Sequence, residues 1–396
     1  MKNQNLNELY LKLNSLCIFR ALLSDSVISR LMKYLDCIET SDTTQKINLY
    51  SDFISALYCN NKVSLARYIH TVVSNNENVY VKILCSGKSG SPTMKKCVDA
   101  EIDVLQSVAD LTPAELQSEI EWNGFLPVFK VEKVDLANDY AKRTRNIGKY
   151  GYGIYAKNHM FRIDGGEIVP VLHPDEIALS ELIGYEREKN IIIDNTKALL
   201  ESRAAANILL TGDAGTGKSS TIKAVVNELH KDGLRIIEVR KEQLRDIPAI
   251  LDELSDNPLK FILFIDDLSF QKDDDNFSAL KAILEGSVSA KSKNVVIYAT
   301  SNRRHLVKEN FSDREGDDVH FNDTVQELVS LSDRFGLHIT FSKPNKETYL
   351  DIVHSLANKK GIKYNTDELD IAAERFALEK GSRSARAAKQ FVEKLI

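Results

Sequence analysis

Apolar residues recur at helical spacing through the first part of the chain. The stretches LNELYLKLNSLCIFRALL, SVISRLMKYLDCI and INLYSDFISALYC place them three and four positions apart, a pattern typical of amphipathic helices. The segment SGKSGSPT at 86–93 breaks this pattern with Gly, Ser and Pro, residues that favour turns. We therefore predict a mainly helical N-terminal domain over residues 1–149, built from two helical groups.

A short β-rich region follows at 150–175. Apolar residues flank Asp164, Gly165 and Gly166 on both sides, and an Asp-Gly pair between two such runs favours a hairpin turn. This pattern predicts two short strands, which form a β-hairpin connector to the rest of the chain.

From residue 176 the pattern changes to alternation. The short β-rich runs NILLTG, LRIIEV, FILFI, NVVIYAT and LHITF are separated by helical stretches, which predicts a parallel sheet with crossover helices over 176–342. The tail over 343–396 is helical again, in KETYLDIVHSLANKKG, TDELDIAAERFALEKG and SRSARAAKQFVEKLI. The predicted fold class is therefore α/β, with a helical domain at each end.

Composition narrows the function classes. The 396 residues are 43% hydrophobic and 28% charged, as in ordinary globular proteins. The net charge of −5 argues against a protein that binds nucleic acid over its whole surface. The five cysteines lack C-x-x-C spacing, which favours reduced thiols over a zinc site or disulfides. No signal-peptide region and no apolar run of about 18–20 residues occurs, so we expect a cytoplasmic protein without a membrane partner.

A phosphate-binding motif follows the first run of the alternating region. LLTGDAGTGKSST fits G-x-x-x-x-G-K-[ST], with an apolar strand before it and an amphipathic helix after it. Backbone N–H groups of such a loop, and the positive end of the following helix, bind phosphate oxygens. Lys218 is expected to reach the β- and γ-phosphates, and Ser219 to ligate Mg²⁺. The candidate ATP-binding residues here are Gly212, Asp213, Ala214, Gly215, Thr216, Gly217, Lys218, Ser219 and Ser220.

Two adjacent carboxylates end another predicted strand. FILFIDDLSF, which starts at Phe261, runs from apolar residues directly into Asp266 and Asp267. A strand buried on both faces accounts for the apolar run but not for the acids. A P-loop requires an acid at the end of a neighbouring strand to hold Mg²⁺ directly or through water. We interpret Asp266 as this metal-side acid and Asp267 as the residue that orients the attacking water.

With these motifs in place, residues 176–396 resemble the AAA+ ATPases (ATPases associated with diverse activities). The resemblance implies a P-loop sheet sandwiched by helices, with a small C-terminal helical lid. In NVVIYATSNRRH it implies that Asn302 is the first sensor, which contacts the γ-phosphate or the catalytic water. In LSDRFGL it implies that Arg334 is an arginine finger that reaches the ATP of a neighbouring subunit, so a homo-oligomer is expected. The alternative for Arg334 is a surface pair with Asp333.

Two further stretches complete the resemblance. KGSRSARAAKQF resembles the second sensor, for which Arg383 fits the family's G-x-R pattern best and Arg386, one turn on, is the alternative. LSELIGYEREK resembles the segment that walls the adenine, which would place Leu182, Ile183 and Gly184 near the base. Within the superfamily, the motif combination is most similar to an uncharacterised bacterial ATP-binding group known as domain of unknown function 815.

The sequence departs from the superfamily pattern at two places. Asp267 stands where most active members have Glu, and a carboxylate misplaced by about 1 Å can lower a rate on the order of 10²-fold. Slow turnover or dependence on a partner is therefore expected. The stretch IIEVRKEQLRDIPAILDEL also lacks the aromatic residue and the glycine of pore loops in ring-shaped unfoldases, which disfavours polypeptide threading.

One stretch outside the motifs carries basic and aromatic residues together. Residues 142–162 contain six Lys and Arg and no acid, a composition that can bind single-stranded nucleic acid through phosphates and stacking. The favoured interpretation is a hairpin in which Tyr150, Tyr152 and Phe161 alternate and pack on the core.

The sequence thus predicts an ATPase that hydrolyses Mg-ATP at subunit interfaces to switch or remodel a partner macromolecule, with an unknown protein partner bound by the N-terminal domain. One alternative is a slow or non-hydrolysing ATP-dependent switch or adaptor, which the departure at Asp267 motivates. Another is a DNA-associated loader or initiator-like ATPase, which the basic stretch motivates.

Overall fold

The chain forms two compact units, Met1–Lys157 and Asn158–Ile396. Among the described residues, no helix combines the length and the apolar character needed to cross a bilayer. The computed structural model describes residues 6–39, 41–269, 275–285, 293–302 and 334–396.

The first unit is helical, as the spacing of its apolar residues predicts. Its core encloses large aromatic side chains that include Phe19, Tyr34, Tyr50 and Phe53, each at most 1% exposed. The carboxylate of Glu101 is also buried, and it accepts backbone N–H bonds from the turn at residues 17–19. The helices are α1 (Leu6–Asn14), α2 (Ile28–Cys37), α3 (Thr43–Cys59), α4 (Leu65–Ser74), α5 (Val79–Cys85), α6 (Pro92–Ala109), α7 (Pro113–Gln117), α8 (Leu136–Arg145), α9 (Ile147–Tyr150) and α10 (Gly153–Lys157).

The predicted break at 86–93 is confirmed. Helix α5 ends at Cys85, and α6 begins at Pro92 with its N-terminus capped by Ser91. Proline at the first position of a helix loses no hydrogen bond, and a serine cap satisfies an otherwise unpaired N–H. The turn residues therefore both end one helix and start the next.

The prediction for the aromatic residues near 150 is wrong in part. Tyr150 ends helix α9 and Tyr152 lies between α9 and α10, so neither belongs to a strand. The guanidinium of Arg143 lies 5.1 Å from the centre of the Tyr150 ring and donates to Asn75. Tyr155 and Phe161 are buried. Several side chains of this basic and aromatic stretch are therefore engaged in packing, as predicted, but Tyr150 and Tyr152 lie outside the predicted strand.

A seven-stranded sheet forms the centre of the second unit, in the order β2-β1-β4-β5-β6-β3-β7. All neighbours are parallel except β1 and β2, which form the predicted antiparallel hairpin with Asp164 opposite Glu167. β2 is the outermost strand on its side in the described part of the chain and ends at Pro170. The strands are β1 (Met160–Asp164), β2 (Glu167–Pro170), β3 (Ile208–Gly212), β4 (Leu234–Glu238), β5 (Lys260–Ile265), β6 (Val295–Ser301) and β7 (Leu337–Phe341).

Helices cover both faces of the sheet, which explains the uninterrupted apolar runs. Ile262 and Phe264 of β5 pack with α11 and α12 in one core cluster. Their neighbours Phe261, Leu263 and Ile265 point to the other face and are fully buried as well. The sandwich predicted from the alternation is therefore confirmed. The helices joining the strands are α11 (Glu186–Leu200), α12 (Lys218–Leu229), α13 (Ile247–Leu254) and α14 (Asp275–Glu285).

The last three helices form the lid, which has a core of its own. Tyr349, Ala373 and Ala388 are among the residues that pack at its centre with no exposed surface. Asparagine or serine caps the N-terminus of each helix. This confirms the predicted small helical C-terminal lid, which consists of α15 (Lys346–Lys359), α16 (Thr366–Glu379) and α17 (Ala385–Glu393).

Candidate functional site

The loop between β3 and α12 has the backbone that phosphate binding requires. β3 ends at Gly212, where φ is +137° and a Cβ would lie 2.1 Å from the Phe341 carbonyl oxygen. Any side chain at this position would therefore displace β7. The loop then turns through Gly217, with φ of +95°, into the first turn of α12 at Lys218. Its N–H groups lie at the positive end of a 12-residue helix, an arrangement that attracts anions.

Lys218 lies at the centre of this loop and is only 5% exposed. Its Nζ donates to the carbonyls of Gly212 (2.8 Å) and Asp213 (2.9 Å) and to Oδ1 of Asn302 (3.0 Å). Burial lowers the pKa of the Lys218 ammonium, while the carboxylates of Asp213, Asp266 and Asp267 oppose this shift. The cation is thus held beside the loop by groups that a phosphate can replace.

Asp266 lies directly after β5 and faces the start of α12. The Oγ of Ser219 donates to Asp266 Oδ1 at 2.6 Å, so a hydroxyl and a carboxylate oxygen meet beside the loop. Such hard oxygen ligands suit Mg²⁺, which usually takes one or two protein ligands and completes its shell with water and phosphate. The described residues contain no group of three or more His, Cys, Asp or Glu able to hold a metal. The donor set therefore fits Mg²⁺ held together with a nucleotide.

Thr300 is a site residue that the sequence analysis missed. It lies in β6, is 2% exposed, and its Oγ1 donates to Asp266 Oδ1 at 2.6 Å. The same Oγ1 accepts the backbone N–H of Asp267 at 2.9 Å. One buried hydroxyl therefore positions both acids. In the sequence, Thr300 lies in the run NVVIYATS, and the signal that could have indicated its role is that it is a polar residue near the end of a predicted strand.

Asp267 has a left-handed backbone with φ of +53°, which is uncommon for a residue other than glycine, although aspartate is among those that adopt it. Its carboxylate Oδ1 accepts a hydrogen bond of 2.6 Å from Asn302 Nδ2. Asn302 thus bridges Lys218 and Asp267, because its Oδ1 accepts from Lys218. The structure brings Lys218, Ser219, Asp266, Asp267 and Asn302 into one network.

The structure separates the two arginines considered for the second sensor. Arg383 forms a bidentate pair with Glu374 of α16, with Nε–Oε1 and Nη2–Oε2 distances of 2.9 and 2.7 Å. This pairing holds the pKa of the Glu374 carboxyl below its ordinary value. Arg383 is therefore engaged within the lid, and the structure does not bring its guanidinium to the P-loop.

Arg386 lies next to the phosphate loop. Its backbone N–H donates to the Gly215 carbonyl at 3.3 Å, and a Cβ on Gly215 would lie 2.9 Å from the Arg386 Cβ. Its positive charge is near enough to contribute to the lowered pKa of Lys218. Of the two arginines, Arg386 has the position suited to a bound phosphate.

The segment proposed to wall the adenine lies against the lid. Ile183 packs on the lid core, and a Cβ on Gly184 would lie 2.8 Å from Thr348 Cγ2 of α15. Leu182 is held through its carbonyl, which accepts a 2.7 Å hydrogen bond from Lys189 Nζ. These residues line the junction of the lid with the sheet. Binding of the adenine at this junction stays a prediction.

Arg334 lies three residues before β7. Its neighbour Phe335 is buried, which anchors this part of the chain. Asp333, the alternative partner of Arg334, lies outside the described residues. A role in a neighbouring subunit therefore remains a prediction.

The strand order and the placement of the site residues define the class of protein. The phosphate loop follows β3, the acid pair follows β5, the polar Asn302 follows β6, and a helical lid follows the sheet. This is the nucleotide-binding AAA+ P-loop fold. The chain belongs to the family described as "Protein of unknown function (DUF815)", which matches residues 156–396. No curated protein matches the chain in sequence.

Several solved structures are similar to part of the chain, with low sequence identity. The Thermotoga maritima RuvB Holliday junction branch migration motor is 16% identical with a TM-score of 0.38, over 55% of this chain and 63% of that one. A HORMA:CdnC:Trip13 complex of E. coli MS115-1 is 14% identical with a TM-score of 0.35, over 55% and 90%. The match spans less than two thirds of the RuvB chain. At these scores the likeness carries no argument about activity or partner.

Proposed function

We propose that this protein is an ATPase that hydrolyses Mg-ATP at interfaces between its own subunits and thereby switches or remodels a partner macromolecule. The observation that carries the proposal is the network of Lys218, Ser219, Asp266, Asp267 and Asn302. Hydrogen bonds of 2.6–3.0 Å join these residues, with Thr300 linking the two acids. A cation, a hydroxyl, two acids and an amide beside a phosphate loop are the residue types that phosphoryl transfer uses.

Each residue has a defined part in this proposal. The loop from Gly212 to Ser220 binds the phosphates, and Arg386 approaches them from the lid. Ser219 and Asp266 hold Mg²⁺, which when bound neutralises charge on the β- and γ-phosphates. Asp267 orients the attacking water, and Asn302 holds the Asp267 carboxylate in place. Lys218 exchanges its bonds to the loop carbonyls for bonds to phosphate.

The test is steady-state ATP hydrolysis measured over a wide range of protein concentration, beside calorimetry with Mg-ATP. We expect saturable nucleotide binding and a specific activity that rises as subunits assemble, because Arg334 must come from a neighbour. Turnover that is independent of protein concentration would count against interface sites. Absence of nucleotide binding by the folded protein would contradict the proposal as a whole.

A slow or non-hydrolysing switch is the second candidate, favoured by the acid pair. Asp267 is one methylene shorter than glutamate, and its carboxylate is held by Asn302 at 2.6 Å. Single-turnover measurements separate the candidates. Bound ATP that is converted to ADP over hours, while binding itself is tight, would favour the switch.

A DNA-associated loader has less support. Arg143 and Tyr150 are engaged with each other, which removes part of the surface that motivated this alternative. Binding to single-stranded DNA at several salt concentrations tests it, because phosphate contacts weaken steeply with salt. Absence of binding at low salt would exclude the loader.

Thr300→Val is expected to weaken the coupling between Mg²⁺ and nucleotide. Valine keeps the shape of threonine but removes one hydrogen bond from Asp266 Oδ1, which keeps Ser219, and one from the Asp267 N–H. A hydrogen bond to a charged group contributes about 1.5–3 kcal/mol, so we expect the Mg²⁺ concentration needed for nucleotide binding to rise about tenfold. Calorimetry with ADP at varied Mg²⁺ measures this.

Two controls accompany the Thr300 experiment. Thr300→Ser keeps the hydroxyl and should restore the Mg²⁺ response. Thr196→Val removes another buried hydroxyl, one that bonds Ile192 and Tyr298 rather than the acids, and should change thermal stability without changing the Mg²⁺ response. An equal effect of both valine variants on Mg²⁺ would show that Thr300 has only a structural role.

Arg386→Ala and Arg383→Ala are expected to have different effects. Arg386→Ala should lower nucleotide affinity about tenfold, since hydrogen bonds to charged groups contribute about 1.5–3 kcal/mol. Arg383→Ala should instead loosen the lid. The lowered pKa of Glu374 means that its stabilising pair with Arg383 is present at neutral pH and is lost as the pH falls through that lowered value. Melting curves at neutral and acidic pH, beside nucleotide titrations, measure both effects, and the reverse assignment would contradict the placement of Arg386.

A further inference from the structure

An extended segment of the first unit exposes apolar side chains. Val128 and Val131 are 55% and 54% exposed, and Val63 and Tyr58 beside them are 61% and 47% exposed. Phe129 between the two valines is buried and anchors the segment in the core. Solvent-exposed apolar side chains clustered on an anchored backbone are typical of surfaces that bind another molecule.

The backbone of this segment is paired on one side. The Lys130 N–H donates to the Val63 carbonyl at 2.6 Å, and Lys130 forms a parallel bridge with Ser64. The Tyr58 hydroxyl donates to the Val128 carbonyl. Positions 128 and 130 thus direct their backbone groups toward α3 and the start of α4. Because an extended chain directs the backbone groups of successive residues to opposite sides, those of the residues in between point away from these helices.

The other side of the same backbone is open within the described residues. There, the N–H and carbonyl groups of Val131 and Lys133, which are exposed, and of Phe129, which is buried, have no hydrogen-bond partner among the described residues. The accessible groups of Val131 and Lys133 are a template for another strand. We call residues 128–133 the open edge.

The surroundings of the open edge are cationic. Lys130 and Lys133 lie on it, Lys62 precedes its neighbour Val63, and Arg67 contacts its carboxylate Glu132. Glu132 already accepts from Lys130 at 2.8 Å and Arg67 at 2.7 Å. Lys62 and Lys133 are exposed and carry charge that Glu132 does not neutralise. A partner that covers this edge gains from negative charge.

We propose that the open edge binds an extended acidic segment of a partner protein by strand addition. Main-chain pairing requires a peptide, since a nucleic acid offers no row of alternating N–H and carbonyl groups. The exposed valines contact apolar side chains of the added strand, and Lys62 and Lys133 contact its acids. The inference rests on the partner macromolecule of the proposed function and on the prediction that the N-terminal domain binds it, and it does not involve the nucleotide site.

The experiment uses the full chain without nucleotide and a fluorescent octapeptide of alternating valine and glutamate. Fluorescence anisotropy at low salt should show saturable binding. The same peptide N-methylated at alternate amides cannot pair along its backbone, and we expect its affinity to be lower by about tenfold or more, a difference of about 1.4 kcal/mol. Equal binding of the methylated peptide, or no binding of either peptide at millimolar concentration, would overturn the proposal.

Three variants test the location. Val131→Pro removes an outward N–H, a position where proline is tolerated at a sheet edge, and should weaken binding about tenfold. Lys62→Glu combined with Lys133→Glu should do the same, whereas Lys96→Glu, an exposed lysine of α6, should have little effect. Melting curves show that each variant is folded. Unchanged binding by Val131→Pro, or tighter binding of a single-stranded oligonucleotide than of the peptide, would contradict strand addition. Failure of ATP binding would leave this outcome unaffected.

Discussion

Lys218→Ala is expected to lower the affinity for Mg-ATP on the order of 10²-fold or more and to remove hydrolysis. The ammonium makes two hydrogen bonds to loop carbonyls and one to Asn302, and its three N–H groups become available to phosphate oxygens when nucleotide binds. Each hydrogen bond to a charged group contributes about 1.5–3 kcal/mol, so two such bonds account for the loss. Calorimetry measures the binding and phosphate release measures the hydrolysis.

The matched control for Lys218 is Lys231→Ala, which removes an exposed lysine after the same helix. This variant should bind nucleotide as the wild type does. Both variants should melt near the wild-type temperature. Burial disfavours the charged form of Lys218 and lowers its pKa, so the alanine variant loses hydrogen bonds but also loses the cost of burying a cation. Wild-type affinity in a folded Lys218→Ala variant would show that the loop is not a phosphate site.

Arg334→Ala is expected to reduce hydrolysis by about 10³- to 10⁵-fold while nucleotide affinity changes little. An arginine supplied by a neighbouring subunit stabilises the charge of the transition state and has an effect of this size. The P-loop, the acids and Asn302 remain intact in this variant. The turnover rate is therefore expected to fall while the nucleotide affinity stays nearly unchanged. Steady-state kinetics measures the first and calorimetry on the same sample measures the second.

Mixing the two inactive variants provides the sharper test. Lys218→Ala subunits retain Arg334, and Arg334→Ala subunits retain the nucleotide site. If the arginine acts across an interface, mixed assemblies should recover part of the activity that neither variant has alone. No recovery, in mixtures shown by mass measurement to co-assemble, would place Arg334 outside the site of a neighbour.

The sequence alone was sufficient to predict the structure where the pattern of apolar residues and the chemistry of a motif indicate the same element. The runs around Leu210 and Leu263 are apolar on both faces, so they could only be strands of a covered sheet. The spacing of glycine, lysine and serine from Gly212 to Ser219 is that of a phosphate loop between a strand and a helix, and this predicted the backbone there. The structure places the acids at 266 and 267 beside this loop, as the need of a phosphate loop for a nearby carboxylate predicts, and their roles toward metal and water stay predictions.

Contacts between residues that are far apart in the sequence determine the features that the sequence alone did not predict. Arg383 and Arg386 lie one turn apart, and only the packing of α16 shows that Glu374 holds the first. Thr300 has no distinctive neighbours in the chain, and its role depends on the parallel pairing of β5 with β6. Tyr150 and Tyr152 alternate as in a strand, but short helices form there, and Arg143 stacks on the Tyr150 ring and donates to its carbonyl. None of these contacts can be read from spacing along the chain.

The outermost strand of the sheet limits how copies of this protein can join. The Val171 N–H donates inward to Met160 at 2.9 Å, so the preceding position points outward, and there proline has no hydrogen to offer. A second molecule therefore cannot continue the sheet past Pro170 by regular main-chain pairing. Self-association at this border must therefore use side-chain surfaces, which protects the folded protein against fibre-like growth from β2.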